Sequence, residues 1–177
     1  AGELLQIGFA STATNFNDSG RFYDNIVWDG VGGMAPELEA YAQDFESLDM
    51  MDPAALPAAG YKIFATVFAP MGGFLYTYGV FAAPNGGPGF SAIAGGAGGP
   101  FQGAQYFNAY SDYGNPDHGN GNVINALVFQ EQVIGATNVG ETWRFEFDHR
   151  KNPNVVNGDG ATTTNAFLKV IKTSDGS

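Results

Sequence analysis

The most regular alternation in the chain is Glu141–Arg150, ETWRFEFDHR, where Trp143, Phe145 and Phe147 fall on one face and Arg144, Glu146 and Asp148 on the other. Period two over this length predicts a strand with one buried side. Tyr61–Phe68, YKIFATVF, is apolar on nearly both faces, which suits a central strand in a sandwich. Phe74–Phe81 divides Leu75, Thr77 and Gly79 from Tyr76, Tyr78 and Val80, and Gln105–Tyr110 divides Tyr106, Asn108 and Tyr110 from Phe107 and Ala109. Val123–Val133 and Ala166–Lys172 complete the strands predicted in the second half. At the start, Gln6–Asp29 reads as a β-hairpin: a small-residue strand, a turn at Asn15–Gly20, and the aromatic strand RFYDNIVW.

Between these runs the pattern lapses. Gly30–Pro36 is a connector, and Pro36–Tyr41 has the makings of one helical turn. Asp52–Leu56 resembles a short capped helix with Asp52 as N-cap and Pro53 at the first helical position. Ala82–Gly103 is rich in Gly, Ala and Pro, yet Phe90, Ile93 and Phe101 are spaced as anchors, so a partly ordered loop is expected. Ser111–Asn122, SDYGNPDHGNGN, is the most polar loop, and a further Asn and Gly loop runs over Lys151–Thr164.

Composition turns the strands into a fold class. A chain of 177 residues with 44% hydrophobic content has enough material for one core. Its 26 Gly and 9 Pro interrupt it too often for long helices, so an all-β antiparallel sandwich with minor short helices is predicted. Seven Lys and Arg against eighteen Asp and Glu give a net charge of −11, which repels nucleic acid and anionic lipid and leaves neutral glycans, cations and cationic partners. Excess acid also allows carboxylates to gather on a hard cation such as Ca²⁺. Without cysteine there is no disulfide, thiol nucleophile or thiolate metal site. No apolar run approaches the ~18 residues of a membrane span, and the start lacks the basic region of a signal peptide, so an exported protein would have lost its signal already.

Four separated motifs carry a resemblance. Asp44-Phe45-Glu46, Phe129-Gln130, Gly140-Glu141-Thr142-Trp143 leading to Arg150, and Phe22-Tyr23-Asp24-Asn25-Ile26-Val27-Trp28 resemble segments of the extracellular β-jelly-roll carbohydrate-binding modules of the galactose-binding-like superfamily, in particular the cellulose-binding CenC-like group. The last motif closes those modules, whereas here it comes first. The resemblance therefore runs from Asp44 to the C-terminus and resumes at the N-terminus. It implies a hairpin over 1–30 that closes a jelly-roll sheet, its own or a neighbouring module's, a connector over 31–43, and the main body over 44–177. It further implies an extracellular or cell-surface, non-catalytic, glycan-binding module. The alternative is a structural repeat that assembles into a fibre or surface layer by exchanging the 6–29 hairpin between copies.

In the resembling modules a structural Ca²⁺ sits where the first strand's Glu meets the last strand's Asp; carried over, that names Glu46 and Asp24, with Asp44 or Asn25 as helpers. Ordinary strand-end acids would look the same. Sugar recognition needs flat aromatic faces and polar side chains for hydroxyls. Tyr76, Tyr78, Tyr106, Tyr110 and Tyr113 are the candidate platforms, with Asn108, Asp112, Gln130 and Arg144 as polar helpers, although aromatics at strand spacing more often fill a core. Trp28 and Trp143 are assigned to the core. The Asn and Asp residues of Asp112–Asn120 and of Asn15–Asp18 are read as turn formers. A catalytic reading has to use His118, His149, or a pair such as Asp112 with Asp117 or Glu131 with Glu146. No G-x-S-x-G, H-E-x-x-H or Walker-type motif is present, and no catalytic residue is assigned.

Overall fold

A computed structural model describes residues 2–16, 20–31, 38–79, 91–95, 99–112, 114–151 and 162–173. Among these residues are ten strands, β1 (Glu3–Ala13), β2 (Arg21–Gly30), β3 (Tyr41–Gln43), β4 (Lys62–Phe68), β5 (Phe74–Gly79), β6 (Ser91–Gly95), β7 (Gln105–Ala109), β8 (Val123–Ile134), β9 (Trp143–Lys151) and β10 (Thr162–Ile171), with a four-residue helix α1 (Ala55–Ala58) and two short 3₁₀ turns. All strand pairs are antiparallel. Sheet A runs β10-β1-β8-β4-β5; in sheet B, β2 is flanked by β9 on one side and by β7 and β3 on the other, with β6 beyond β7.

The sandwich follows from the alternation of each strand. Ile63, Ala65 and Val67 of β4, Ile124, Ala126 and Val128 of β8, and Phe9 of β1 point inward from sheet A. They meet Tyr23 and Ile26 of β2 and Phe107 of β7 from sheet B. Phe9 is the hub: it stacks on Tyr23 at 3.8 Å between ring centroids and touches Phe107, Phe145 and Phe147. A second cluster, Leu5, Ile7, Trp28 and Leu38, extends the core to the far end, where Trp28 stacks on Trp143 at 5.0 Å. The all-β sandwich expected from the pattern is therefore the fold, and the predicted inward face of Trp143, Phe145 and Phe147 is the one that packs.

The opening hairpin is a correction. β1 and β2 do not pair with each other and lie in different sheets; residues 17–19 of the expected turn lie outside the described residues. β1 lies between β10 and β8, and β2 between β9 and the β7/β3 edge, so both have partners on each side within the chain. Gly8 is what lets β1 sit so close to β8, because a Cβ there would come within 2.5 Å of the Cα of Phe129.

Smaller expectations also shift. The helix begins at Ala55 rather than at Pro53, although the Asp52 carboxylate accepts the Ala54 N–H at 2.8 Å as a turn does. Leu38–Ala40 form no helix and Tyr41 begins β3; Pro36 and Glu37 lie outside the described residues. Within the Gly and Ala segment, Ser91–Gly95 form a strand paired with β7, and Phe90 lies outside the described residues.

Candidate functional site

The feature that shapes the outer face of sheet B is a bulge in β2. The register with β9 shifts between Asp24 and Val27, so Asn25 and Ile26 together oppose Phe147. The extra residue, Asn25, has φ 47°, a left-handed conformation that Asn tolerates better than most side chains. As a result Tyr23 and Ile26 both face the core while Asp24 is left outward, directly opposite Asp148.

Asn25 then ties three pieces together. Its side-chain amide donates to Asp148 Oδ2 at 2.9 Å and to the Phe101 carbonyl at 3.1 Å. Gln102 donates to the same Asp148 oxygen at 2.8 Å, which fixes the 99–104 loop across β9. These two amide donors hold the Asp148 carboxyl below its ordinary pKa. From the other side Glu46 Oε1 accepts the backbone N–H groups of Ala104 and Gln105, each at 2.7 Å. Gly103 turns the loop at φ 54°, and a Cβ there would press on Glu46 Cδ at 2.8 Å.

Against this loop lies a pocket of about 270 Å³ lined by Phe22, Tyr23, Asp24, Gly99, Gln102, Tyr106, Asp148, His149 and Arg150. Phe22 and Tyr106 form an aromatic pair with ring centroids 4.3 Å apart. Asp24 is the unusual member. It is 3% exposed; Oδ1 accepts the Asn25 N–H at 2.8 Å, while Oδ2 is buried with no hydrogen-bond partner. Burial raises the carboxyl from 3.8 to about 6, offset in part by the Asn25 N–H bond and reinforced by the negative charges of Glu46, Asp44 and Asp148. Phe101, on the same loop, is 83% exposed. It is therefore a presented ring and not the buried anchor expected from its spacing.

The residues named for calcium, Asp24, Asn25, Asp44 and Glu46, thus share one corner, since Asp24 lies within electrostatic reach of Asp44 and Glu46 and beside Asn25. Much of their bonding capacity is already committed: Asp44 Oδ1 accepts the Glu46 N–H at 3.1 Å, and Glu46 Oε1 holds the loop. Among the described residues, no three Asp, Glu or His side chains are placed to share a metal ion.

The residues named for sugar binding divide. Tyr106 lines the pocket, but its ring is buried and its hydroxyl donates to the Gly95 carbonyl at 2.8 Å. Asn108 lies on the same face, opposite Phe22, with a buried Oδ1 that has no partner. Tyr76, Tyr78 and Asp112 meet elsewhere, at the end of β5. Tyr78 donates to Asp112 Oδ2 at 2.7 Å, Asn115 bridges both, and Tyr76 donates to Asp117. Burial and the Asp112 carboxylate raise the Tyr78 pKa, and the Asp117 bond raises that of Tyr76. These hydroxyls fasten the 111–122 loop to the sheet. Tyr110 packs against the core, Gln130 donates to the Ala59 carbonyl at 3.1 Å, and Arg144 forms a paired bond with Asp29; Tyr113 lies outside the described residues.

The catalytic pairings fare no better. Glu131 is held by Lys62 and Gln6 on the outer face of sheet A, whereas Glu146 lies in sheet B, so the two do not face one cleft. His118 is buried in its loop between the carbonyls of Asn122 and Asp112 at 3.2 and 3.3 Å. Residues that pattern reading missed are Phe22, Gln102, Asp148 and Arg150. Phe22, Asp148 and Arg150 carried the signal of the outward face of an alternating strand, while Gln102 had none.

Among the described residues no helix is long and apolar enough to cross a membrane. Compared with models of known protein families, with curated proteins and with solved structures, the chain matches none.

Proposed function

We propose that the chain is an extracellular, non-catalytic module that binds glycans in the pocket on the outer face of sheet B. The observation that carries this reading is the lining itself: an aromatic pair, Phe22 and Tyr106, beside the polar side chains of Asp24, Gln102, Asp148 and Arg150, under a loop that presents Phe101. An apolar wall with a few convergent polar groups is the make-up of a small-ligand site, and a volume of about 270 Å³ accommodates little more than one sugar ring at a time. Phe101 supplies the flat face on which a neighbouring ring stacks. The motif resemblance points the same way. Binding is by preformed stacking and hydrogen bonds, because Asn25, Gln102 and Glu46 hold the loop before any ligand arrives.

A glycan array followed by calorimetry on the best hit tests the proposal. Phe101→Ala should weaken binding about tenfold while leaving the melting temperature unchanged, the loss expected for one stacking ring. Absence of binding to every polysaccharide, or full binding by Phe101→Ala, would overturn it. The calcium expectation is a rival proposal for the same corner, supported by the partnerless oxygen of Asp24 beside Glu46 and Asp44, and it excludes any other cation at that oxygen. EDTA should then lower the melting temperature of the calcium-loaded protein, and an unchanged melt removes the ion.

A further inference from the structure

We propose that the ligand of the sheet B pocket carries a protonated primary amine, so that the module prefers an amino sugar to a neutral hexose. This rests on the glycan reading and names the ligand class for the same pocket.

A carboxylate oxygen with no donor is a costly thing to bury, and Asp24 Oδ2 is one in a side chain that lines a pocket. Its neighbours leave it so. Asp148, directly across the strand pair, has its Oδ2 occupied by the amides of Asn25 and Gln102, and Glu46 Oε1 is occupied by two backbone N–H groups. What is missing at Asp24 is a single strong donor, not a coordination shell. A divalent ion needs about six to eight oxygens. An ammonium needs only a few acceptors and gains most from a charged one.

The rest of the pocket suits a cation of that size. Phe22 and Tyr106 form its apolar wall, and Asp148 adds a second carboxylate. Glu46 and Asp44 act on Asp24 at longer range, and the chain as a whole carries −11. His149 and Arg150 on β9 are the opposing groups that border the pocket. Alternation puts Arg150 on the outward face with Asp148 and turns His149 to the core side beside Phe147, so Arg150 is the one that suits the hydroxyls of a sugar that places its ammonium toward Asp24. A hydroxyl in place of the ammonium still makes the hydrogen bond but leaves the carboxylate's charge uncompensated, which is the source of the preference.

The test is calorimetry with three soluble probes: a fully deacetylated chito-oligosaccharide, its N-acetylated counterpart and a cello-oligosaccharide of equal length. At pH 7 the deacetylated probe should bind at least about tenfold more tightly than either neutral probe, a charge-assisted bond against a neutral one. Asp24→Asn should abolish the preference, since the amide offers no charge to the ammonium. Asp148→Asn, with its bonds to Asn25 and Gln102 rearranged, should reduce the preference only in part, and it serves as the variant if Asp24→Asn does not fold. Equal binding of the three probes, or tighter binding of the N-acetylated one, overturns the amine while leaving glycan binding standing. Binding of none overturns both. Displacement of the deacetylated probe by about millimolar CaCl₂, with a rise in melting temperature, assigns the oxygen to a metal and also overturns the amine.

Discussion

Asp24→Asn is the substitution whose effect follows most directly from the structure. The wild-type carboxyl ionises at 3.8 in the unfolded chain and at about 6 in the folded one, mainly because burial disfavours its charge. Below 3.8 both states are protonated and the group has no effect on stability. As the pH rises toward 6 the unfolded chain ionises first, so the folded state loses ground, and above 6 the loss is complete. Two pH units at about 1.4 kcal/mol each set a ceiling near 3 kcal/mol. Since the side chain borders a pocket and not the closed core, about 1–2 kcal/mol is the expected size. Asparagine keeps the acceptor for the Asn25 N–H and does not ionise. Urea denaturation of ligand-free protein in EDTA should therefore show the variant about 1–2 kcal/mol more stable than wild type at pH 7.5, relative to the difference between them at pH 4. The same difference at both pH values would refute the argument that Asp24 is held in a desolvated, donor-poor position.

Three further predictions concern the frame. Phe9→Ala should cost about 3–5 kcal/mol in denaturant, because Phe9 is 1% exposed and joins four rings from sheet B. Gly8→Val should prevent the β1–β8 pairing and give insoluble or unfolded chain, read by circular dichroism, since the new Cβ has no room over Phe129; a soluble, native-like variant would contradict the register. Tyr78→Phe should cost about 2 kcal/mol and raise hydrogen exchange in the 111–122 loop by removing the bond to Asp112, which is buried, while leaving glycan affinity unchanged.

How much of this was legible depends on what each signal encodes. Alternation encodes which face of a strand is buried, and it served well for Trp143, Phe145 and Phe147. It does not encode the partner. β1 and β2 look like a hairpin because they are strands separated by a turn, yet the neighbours of β1 are residues 124–134 and 162–171, far along the chain. β6 was missed because SAIAG has almost no side-chain pattern and becomes a strand through its bonds to β7. The Asp24-Asn25 corner was named from motifs, and the chain does bring Asp44 and Glu46 near it. Its shape was hidden, because a bulge at Asn25 and a loop closed by Gln102 are properties of backbone geometry and long-range bonds. The tyrosines were misleading for a chemical reason: a hydroxyl suited to a sugar is equally suited to Asp112 or to the Gly95 carbonyl. Phe101 failed in the opposite direction, a hydrophobic residue left in solvent, and exposed aromatics beside pockets are where burial rules stop applying.

The most direct test of the central claim is a binding measurement that depends on the loop and the pocket together. Wild-type protein, Phe101→Ala and Asp148→Ala are titrated with the best polysaccharide hit, with Tyr78→Phe as the control outside the pocket. The account predicts that the first two variants lose affinity about tenfold or more while the control binds as wild type. Loss confined to Tyr78→Phe, with both pocket variants unaffected, would place recognition at the end of β5 and contradict it.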